Sequence, residues 1–275
     1  GVPIRVHGTL GDVDLWAEGN LEPVSLQYTA GDIEGELSGE VADIFDEGQV
    51  DLRYTARGDR FNTVGQLLGL AVAFDLGATP FDFDAELQGD WQVISLTQAV
   101  GTITGQGIQI DMAGEARELF RRNHLDFDLT ARIDSLVDLM TTLGQSPLID
   151  GTGDMTAHLF GRLRGDLGLT DVGIELRTTA GIAKAEGVVR GLGTTARSEN
   201  LGIDLQLSFE ILAEDFKAFA AVVDHQMPID GTGTAEGQLI RSGNDYRVED
   251  LRLTASAPEL SLRATGTVDA LDSLP

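Results

Sequence analysis

The sequence predicts a mainly β protein: an antiparallel array built from repeats of about 70–80 residues, each carrying one short α-helix. Three observations predict it. First, four phrases recur at one place in a long period: Leu37-Ser38-Gly39-Glu40-Val41, Met112-Ala113-Gly114-Glu115-Ala116, Ala185-Glu186-Gly187-Val188-Val189 and Ala264-Thr265-Gly266-Thr267-Val268. Their central glycines are 75, 73 and 79 residues apart. Second, long stretches alternate apolar and polar residues with period two, the pattern of a sheet with one dry and one wet face. Third, a short stretch of helical period returns between the strand stretches. Other positions keep the register: Thr55-Ala56-Arg57 returns as Thr130-Ala131-Arg132, Leu87 and Gly89 return as Leu159 and Gly161, and Ile149-Asp150-Gly151-Thr152-Gly153 returns as Ile229-Asp230-Gly231-Thr232-Gly233. An array of this kind is read for the surface its stacked repeats build.

The elements follow in chain order. Pro3, Pro80, Pro147 and Pro228 open equivalent segments, so the chain is expected to begin part-way into a repeat and to be a piece of a longer array, one body over 1–275. The repeats are expected at 1–58 (partial), 59–131, 132–211 and 212–275. Val50, Leu52 and Tyr54 make a strand; Val64, Leu67, Leu68 and Ala71, after Asn62 as cap, make a helix. Phe81, Phe83, Ala85 and Leu87 alternate with Asp82, Asp84, Glu86 and Gln88. Ile108, Ile110 and Met112 form a further strand, and Leu125, Phe127, Leu129 and Ala131 alternate with Asp126, Asp128 and Thr130. A second helix carries Ile133, Leu136, Val137, Met140 and Leu143 on one face, capped by Asp134 and ended by Gly144. Val172, Ile174 and Leu176 make a strand; Leu201, Ile203, Leu205, Leu207, Phe209 and Ile211 make another, with Gly202, Asp204, Gln206, Ser208 and Glu210 on its wet side. Leu212, Phe216, Phe219, Ala220 and Val223 trace a third helical stripe. The segment 241–245 and Ala257-Pro258-Glu259 read as hairpin turns beside strands through Leu251 and Leu253 and through Leu260, Leu262 and Ala264. About fifteen strands should follow one another as a meander, with each helix at a rim or end of the sheet, its stripe inward. Such a sheet has more apolar face than its helices can cover, so it must fold over on itself or hold something apolar.

Composition narrows the function. The 275 residues are 42% hydrophobic, only 6% aromatic and include 34 glycines, which suits many short strands joined by tight turns. A net charge of −26 excludes a binder of phosphate backbones, which needs a basic stripe. It also opposes charge-driven docking on an anionic membrane, and it keeps sheet edges apart. The absence of cysteine removes disulfides, thiolate metal sites and Cys nucleophiles. No apolar run is long enough to cross a bilayer as a helix.

Motifs of chemistry are sparse. Gly191-Leu192-Gly193-Thr194-Thr195-Ala196 has the spacing of a dinucleotide loop but leads into another strand rather than a helix. Asp150-Gly151-Thr152-Gly153-Asp154 lacks the ligand spacing of a calcium loop and reads as a turn before a strand. His7, His124, His158 and His225 stand far apart in sequence, and no serine sits in a nucleophile elbow. The expectation is a protein that is not an enzyme, with no cofactor and no metal.

The pattern resembles the AsmA/TamB family of Gram-negative envelope proteins, in particular the AsmA-like C-terminal region. The resemblance rests on the striped helix, the proline, the strand from Ile229 to Leu239, the pair around Tyr246-Arg247-Val248-Glu249-Asp250-Leu251-Arg252-Leu253, and the closing strand Leu262-Arg263-Ala264-Thr265-Gly266-Thr267-Val268. It implies an elongated, strongly curved sheet, a taco-like groove with an apolar lining, similar to bridge-like lipid transfer proteins. It also implies a periplasmic location, with an inner-membrane anchor on a segment outside this chain. The implied function is phospholipid transport between inner and outer membranes and outer-membrane integrity. The partners would be phospholipid acyl chains and inner- and outer-membrane proteins, without nucleic acid. The expected groove lining is Phe81, Phe83, Leu87, Ile108, Ile110, Leu125, Phe127, Leu129, Val172, Ile174, Leu176, Leu201, Ile203, Leu205, Leu207, Phe209, Leu251, Leu253 and Leu262. The alternative is a scaffold or assembly factor for outer-membrane proteins that uses exposed strand edges and moves no lipid.

Overall fold

The computed structural model describes residues 3–43, 48–61, 79–90, 92–119, 121, 123–142, 150–162, 165–192, 203–215, 217–218, 231–243, 245–257 and 260–269. Its elements are β1 (Ile4–Leu10), α1 (Val13–Ala17), β2 (Glu22–Ala30), β3 (Ile33–Ala42), β4 (Gln49–Gly58), β5 (Phe81–Asp90), β6 (Val93–Gly105), β7 (Ile108–Arg117) and β8 (His124–Ile133). Then come α2 (Leu136–Thr142), β9 (Gly151–Arg162), β10 (Gly168–Thr178), β11 (Gly181–Arg190), β12 (Asp204–Ala213), β13 (Thr232–Ser242), β14 (Asp245–Ala257) and β15 (Leu260–Val268). The fifteen strands form one sheet whose order is the chain order, so the expected meander is present. The sheet is antiparallel and does not close. Both expected hairpins form: Ser242 pairs with Asp245, and Ala257 with Leu260.

The helices differ from expectation in several respects. α1 was not foreseen; the Asp12 side chain caps it by accepting from Asp14 N at 2.9 Å, and Gly19 (φ 81) ends it. α2 occupies the second expected helix from Leu136 on, but Ile133, expected on its stripe, ends β8, and Asp134 does not cap it. The Ser135 hydroxyl accepts from Asp138 N at 3.1 Å, while the Asp134 carboxylate takes the Arg132 guanidinium at 2.9 Å. None of the α2 residues is fully buried. Leu212 does not open a helix: it belongs to β12 and pairs with Ile182. The other expected helical positions, Asn62, Val64, Leu67, Leu68, Ala71, Leu143, Gly144, Phe216, Phe219, Ala220 and Val223, lie outside the described residues.

The chain divides into two compact units. The first comprises Gly1–Gly105, Gln109–Leu129 and Phe160–Arg164. Its register lines up cross-strand rows on one face: Val6, Tyr28, Gly35, Ala56, Phe83 and Gly101 form one, and Ile4, Ala30, Ile33, Gly58, Phe81 and Ile103 the next. Large residues alternate with small ones, and the pairing is direct. The rings of Tyr28, Phe81 and Phe83 lie where a methyl group on Gly35, Gly58 or Gly101 would sit. An aromatic ring laid over a cross-strand glycine covers backbone that would otherwise face water.

Two cores result. Trp16 of α1 packs with Val24, Val41, Val50, Leu52 and Ile94. Ile33, Ala56, Phe81 and Ile103 form the other, with Tyr28, Tyr54, Phe61, Phe83, Ile110 and Met112 against them. The opposite face is wet. Arg57 reaches Glu34 at 3.1 Å across it, and both side chains are more than half exposed, so the pair stabilises by about 0–1 kcal/mol.

The second unit comprises Gln106–Ile108, Thr130–Leu159 and Gly165–Pro275. Gly107 caps the approach to α2, its carbonyl accepting from Asp134 N at 3.0 Å. From β10 to β15 the register again sorts the faces. Leu176, Ala183, Ile211, Ala235, Leu253 and Ala264 form one row; Val172, Gly187, Leu207, Leu239, Val248 and Val268 another. Phe209 lies over Gly237 as the first unit's rings lie over their glycines.

Three non-glycine residues adopt left-handed backbone at register shifts: Gln98 in β6, Asp171 in β10 and Asp250 in β14 (φ 49, 50 and 51). They are 73 and 79 residues apart, the spacings of the last three recurring glycines.

Candidate functional site

Among the described residues the apolar side of the sheet is an extended surface with a distinct chemistry, and the alternation of the strands builds it. Along β12, Leu205, Leu207, Phe209 and Ile211 are half-buried, while Asp204, Gln206, Ser208 and Glu210 between them are exposed. The same contrast runs along β14, where Leu251, Leu253 and Ala255 are half-buried between exposed Asp250, Arg252 and Thr254.

The expected lining residues divide by exposure. In the first unit, Phe81 and Phe127 are buried by the protein itself; Phe83, Leu87, Ile110, Leu125 and Leu129 are half-buried. Phe83 and Ile110 pack on the Phe81 core and Leu87 on the Trp16 core, so these partly cover the first unit's buried clusters. In the second unit, Val172 is buried. Ile108, Ile174, Leu176, Ile203, Leu205, Leu207, Phe209, Leu251 and Leu253 are half-buried. Leu262 is 49% exposed on β15, the last strand in the sheet order. Leu201 lies outside the described residues. The register of β10 to β15 places Val172, Ile174, Leu176, Leu205, Leu207, Phe209, Leu251, Leu253 and Leu262 on one face. The largest buried apolar residues described in this unit are Ile133, Leu167 and Val172; the others are alanines. The first unit fills the middle of its rows around Trp16 and Phe81 and leaves Ile4 and Val6 exposed at β1, whereas the second unit fills its rows with few large side chains and leaves most of them half-buried.

On the first unit's apolar face, Tyr54 stands in the strand expected through Val50, Leu52 and Tyr54, while its neighbour Tyr28 escaped the sequence reading. Tyr28 and Tyr54 stack with ring centroids 6.2 Å apart, and their hydroxyls share a hydrogen bond of 2.7 Å. Phe83 meets Tyr54 edge-on at 6.1 Å. The signal was the alternation of Val24, Leu26, Tyr28 and Ala30, which continues the apolar rows into β2. Burial pushes the Tyr28 phenol well above its ordinary range, and the bond with Tyr54 adds to the rise.

The sign of the linkage follows. A phenol with a raised folded-state pKa adds stability that is fully present below its unfolded value near 10, and that stability is lost as pH rises beyond it. Wild-type stability is expected to fall more steeply between about pH 10 and pH 12 than that of Tyr28→Phe. Urea midpoints across that range check it, and equal slopes would place the phenol in water.

Chemical groups of other kinds are few. Among the described residues, no group of three or more His, Asp or Glu side chains is placed to hold a metal ion. Gly193, Thr194, Thr195 and Ala196 of the dinucleotide-like phrase, and His225, lie outside the described residues. The Asp150–Asp154 phrase is the start of β9, with the Asp150 carboxylate accepting from Gly151 N at 2.8 Å. His124 stands edge-on to Phe160 at 4.6 Å, and His7 bonds Gln27 at 3.0 Å on the wet face. No described helix is long and apolar enough to cross a membrane. Comparison with protein-family models, with curated proteins and with solved structures finds no match.

Proposed function

We propose that this chain holds phospholipid acyl chains along its apolar sheet face and takes part in phospholipid transport between the inner and outer membranes of a Gram-negative envelope. In this reading the sheet is a groove built from repeats of about 70–80 residues, in the manner of the AsmA/TamB proteins it resembles. The parent is periplasmic and anchored through a segment outside this chain. The observation that carries the reading is the row of half-buried apolar residues along β10 to β14, backed by an exposed polar face on the same strands. An acyl chain laid on such rows loses water from its methylenes at about 0.8 kcal/mol each. The surface needs no specific polar group to hold it, and headgroups stay in solvent.

Extraction of the purified protein followed by lipid mass spectrometry is expected to yield phospholipid. The two faces should answer oppositely to charge. Leu205→Asp sets a carboxylate among acyl chains, where it is poorly solvated, and is expected to cut co-purified lipid severalfold. Gln206→Asp, one residue along and on the wet face, is expected to leave lipid unchanged. Circular dichroism selects folded variants, and Leu205→Gln serves if the aspartate unfolds the strand. A folded variant with wild-type lipid, or a wild type that carries none, ends the conduit reading.

A further inference from the structure

The register that sorts the second unit's faces sets one side chain apart. Arg241, near the end of β13, pairs with Leu205 on one side and with Tyr246 on the other. The adjoining row is Leu207, Leu239 and Val248, on the same apolar face. Among the paired positions described from β10 to β15, Arg241 is the one charged side chain on that face. Its guanidinium is held in place. Nε donates to the Gly243 carbonyl at 2.8 Å, and Cζ lies 5.0 Å from the centre of the Tyr246 ring. Both side chains are half-buried. The N–H groups on both Nη atoms remain to be met. Arginines on the wet face reach acids: Arg252 meets Glu236 at 2.9 Å, Arg247 meets Glu249 at 3.1 Å and Arg177 meets Asp154 at 3.2 Å. No carboxylate among the described residues pairs with Arg241, in a chain of 45 acids and 19 lysines and arginines.

We propose that Arg241, on its Tyr246 shelf, takes the phosphate of a phospholipid whose acyl chains lie over the rows of Leu205 and Leu207. A partly desolvated cation is stabilised by an anion, and the guanidinium fork takes phosphate oxygens two at a time. A bare anion is repelled by a net charge of −26, so apolar contact has to supply the affinity. An anion with an acyl tail meets both conditions at this position. The inference rests on the reading that the face holds acyl chains, and it adds the end at which the headgroup lies. The rows need no cation to hold a methylene chain; the cation gives that chain a direction. The head sits at the β13–β14 hairpin, and the tail runs from it over Leu207 and Phe209. The headgroup keeps its contact with solvent there, because Arg241 and Tyr246 are only half-buried.

Two probes with the same acyl chains and the same fluorescent label on a chain, a phosphatidylglycerol and a diacylglycerol, are titrated into the purified protein. Wild type is expected to bind the phosphatidylglycerol about tenfold more tightly than the diacylglycerol. Arg241→Gln is expected to lose that preference while its diacylglycerol binding stays within about twofold of wild type, which also shows the variant to be folded. Arg241→Lys, which keeps the charge without the fork, is expected to fall between the two. Inorganic phosphate at millimolar concentration is expected to leave the bound lipid in place. Equal binding of the two probes by wild type overturns the proposal whatever the variants do, and so does an unchanged preference in Arg241→Gln. Equal loss of both probes in Arg241→Gln overturns it as well, because the arginine would then be structural. Displacement by inorganic phosphate would overturn it in favour of a free anion. A wild type that binds neither probe ends the acyl-chain reading itself, and this inference with it.

Discussion

Replacing Trp16 by Ala is expected to remove about 3–5 kcal/mol of stability, the cost of a large cavity in a packed core. The ring is 5% exposed and stands at the centre of the cluster of Val24, Val41, Val50, Leu52 and Ile94. α1 is only five residues long, too short to persist on its own, so the indole is also what fastens this turn to the sheet. The indole N–H is buried, and among the described residues it has no hydrogen-bond partner. It adds nothing to the stability and carries a desolvation cost of about 1–3 kcal/mol. Trp16→Phe, which removes that donor and keeps a ring, is therefore expected to lose less than about 1.5 kcal/mol. Urea midpoints of the two variants separate the cases. Equal losses would mean that the indole nitrogen matters, and no loss in the alanine variant would mean that α1 does not cover the sheet.

The strands were legible because one face of the sheet is wet. The acids of Asp82, Asp84, Asp126, Asp128, Asp204 and Glu210 punctuate the apolar residues at every second place, and period two admits no helix. Leu212 was misread because an apolar residue at a strand end also fits the start of a helical stripe; pairing with Ile182 on β11 settled it. α1 left too few residues for a period of 3.6 to show. Asp134 and Ser135 are adjacent and both suit a cap, and the nearby Arg132 claimed the aspartate. The bulge at Gln98 was hidden for another reason. Glutamine has no preference for left-handed backbone, so only the strands on either side impose it. The apolar face could be read as a row of residues, but not how much of it lies open. That depends on which side chains of the same unit fold over it: Trp16 and Phe61 pack into the cores of the first unit, while the rows of β12 and β14 stay half-buried.

Gly187→Leu is expected to cost about 3–5 kcal/mol, beyond the usual range for an overpacked core, because the obstacle is backbone. Its neighbour across the ladder is Leu207, and the collision is with the carbonyl oxygen of Gln206. A side-chain obstacle can rotate away, but a carbonyl in a strand can move only if the strand moves. β12 is held on its other side by nine paired positions with β13, from Leu205 with Arg241 to Ala213 with Gly233. Relief at one residue must therefore shift both ladders. Gly39→Leu and Gly114→Leu meet the same obstacle at Asp51 and Asp126 and should fall in the same range. Gly266→Ala, with open space around it, is expected to stay within about 0.5 kcal/mol of wild type. Thermal midpoints of the four variants rank them. If Gly187→Leu melted with wild type, the recurring glycines would owe their place to something other than strand approach. A drop for Gly266→Ala as large as that for Gly187→Leu would show that the β15 edge is already occupied by another backbone in solution.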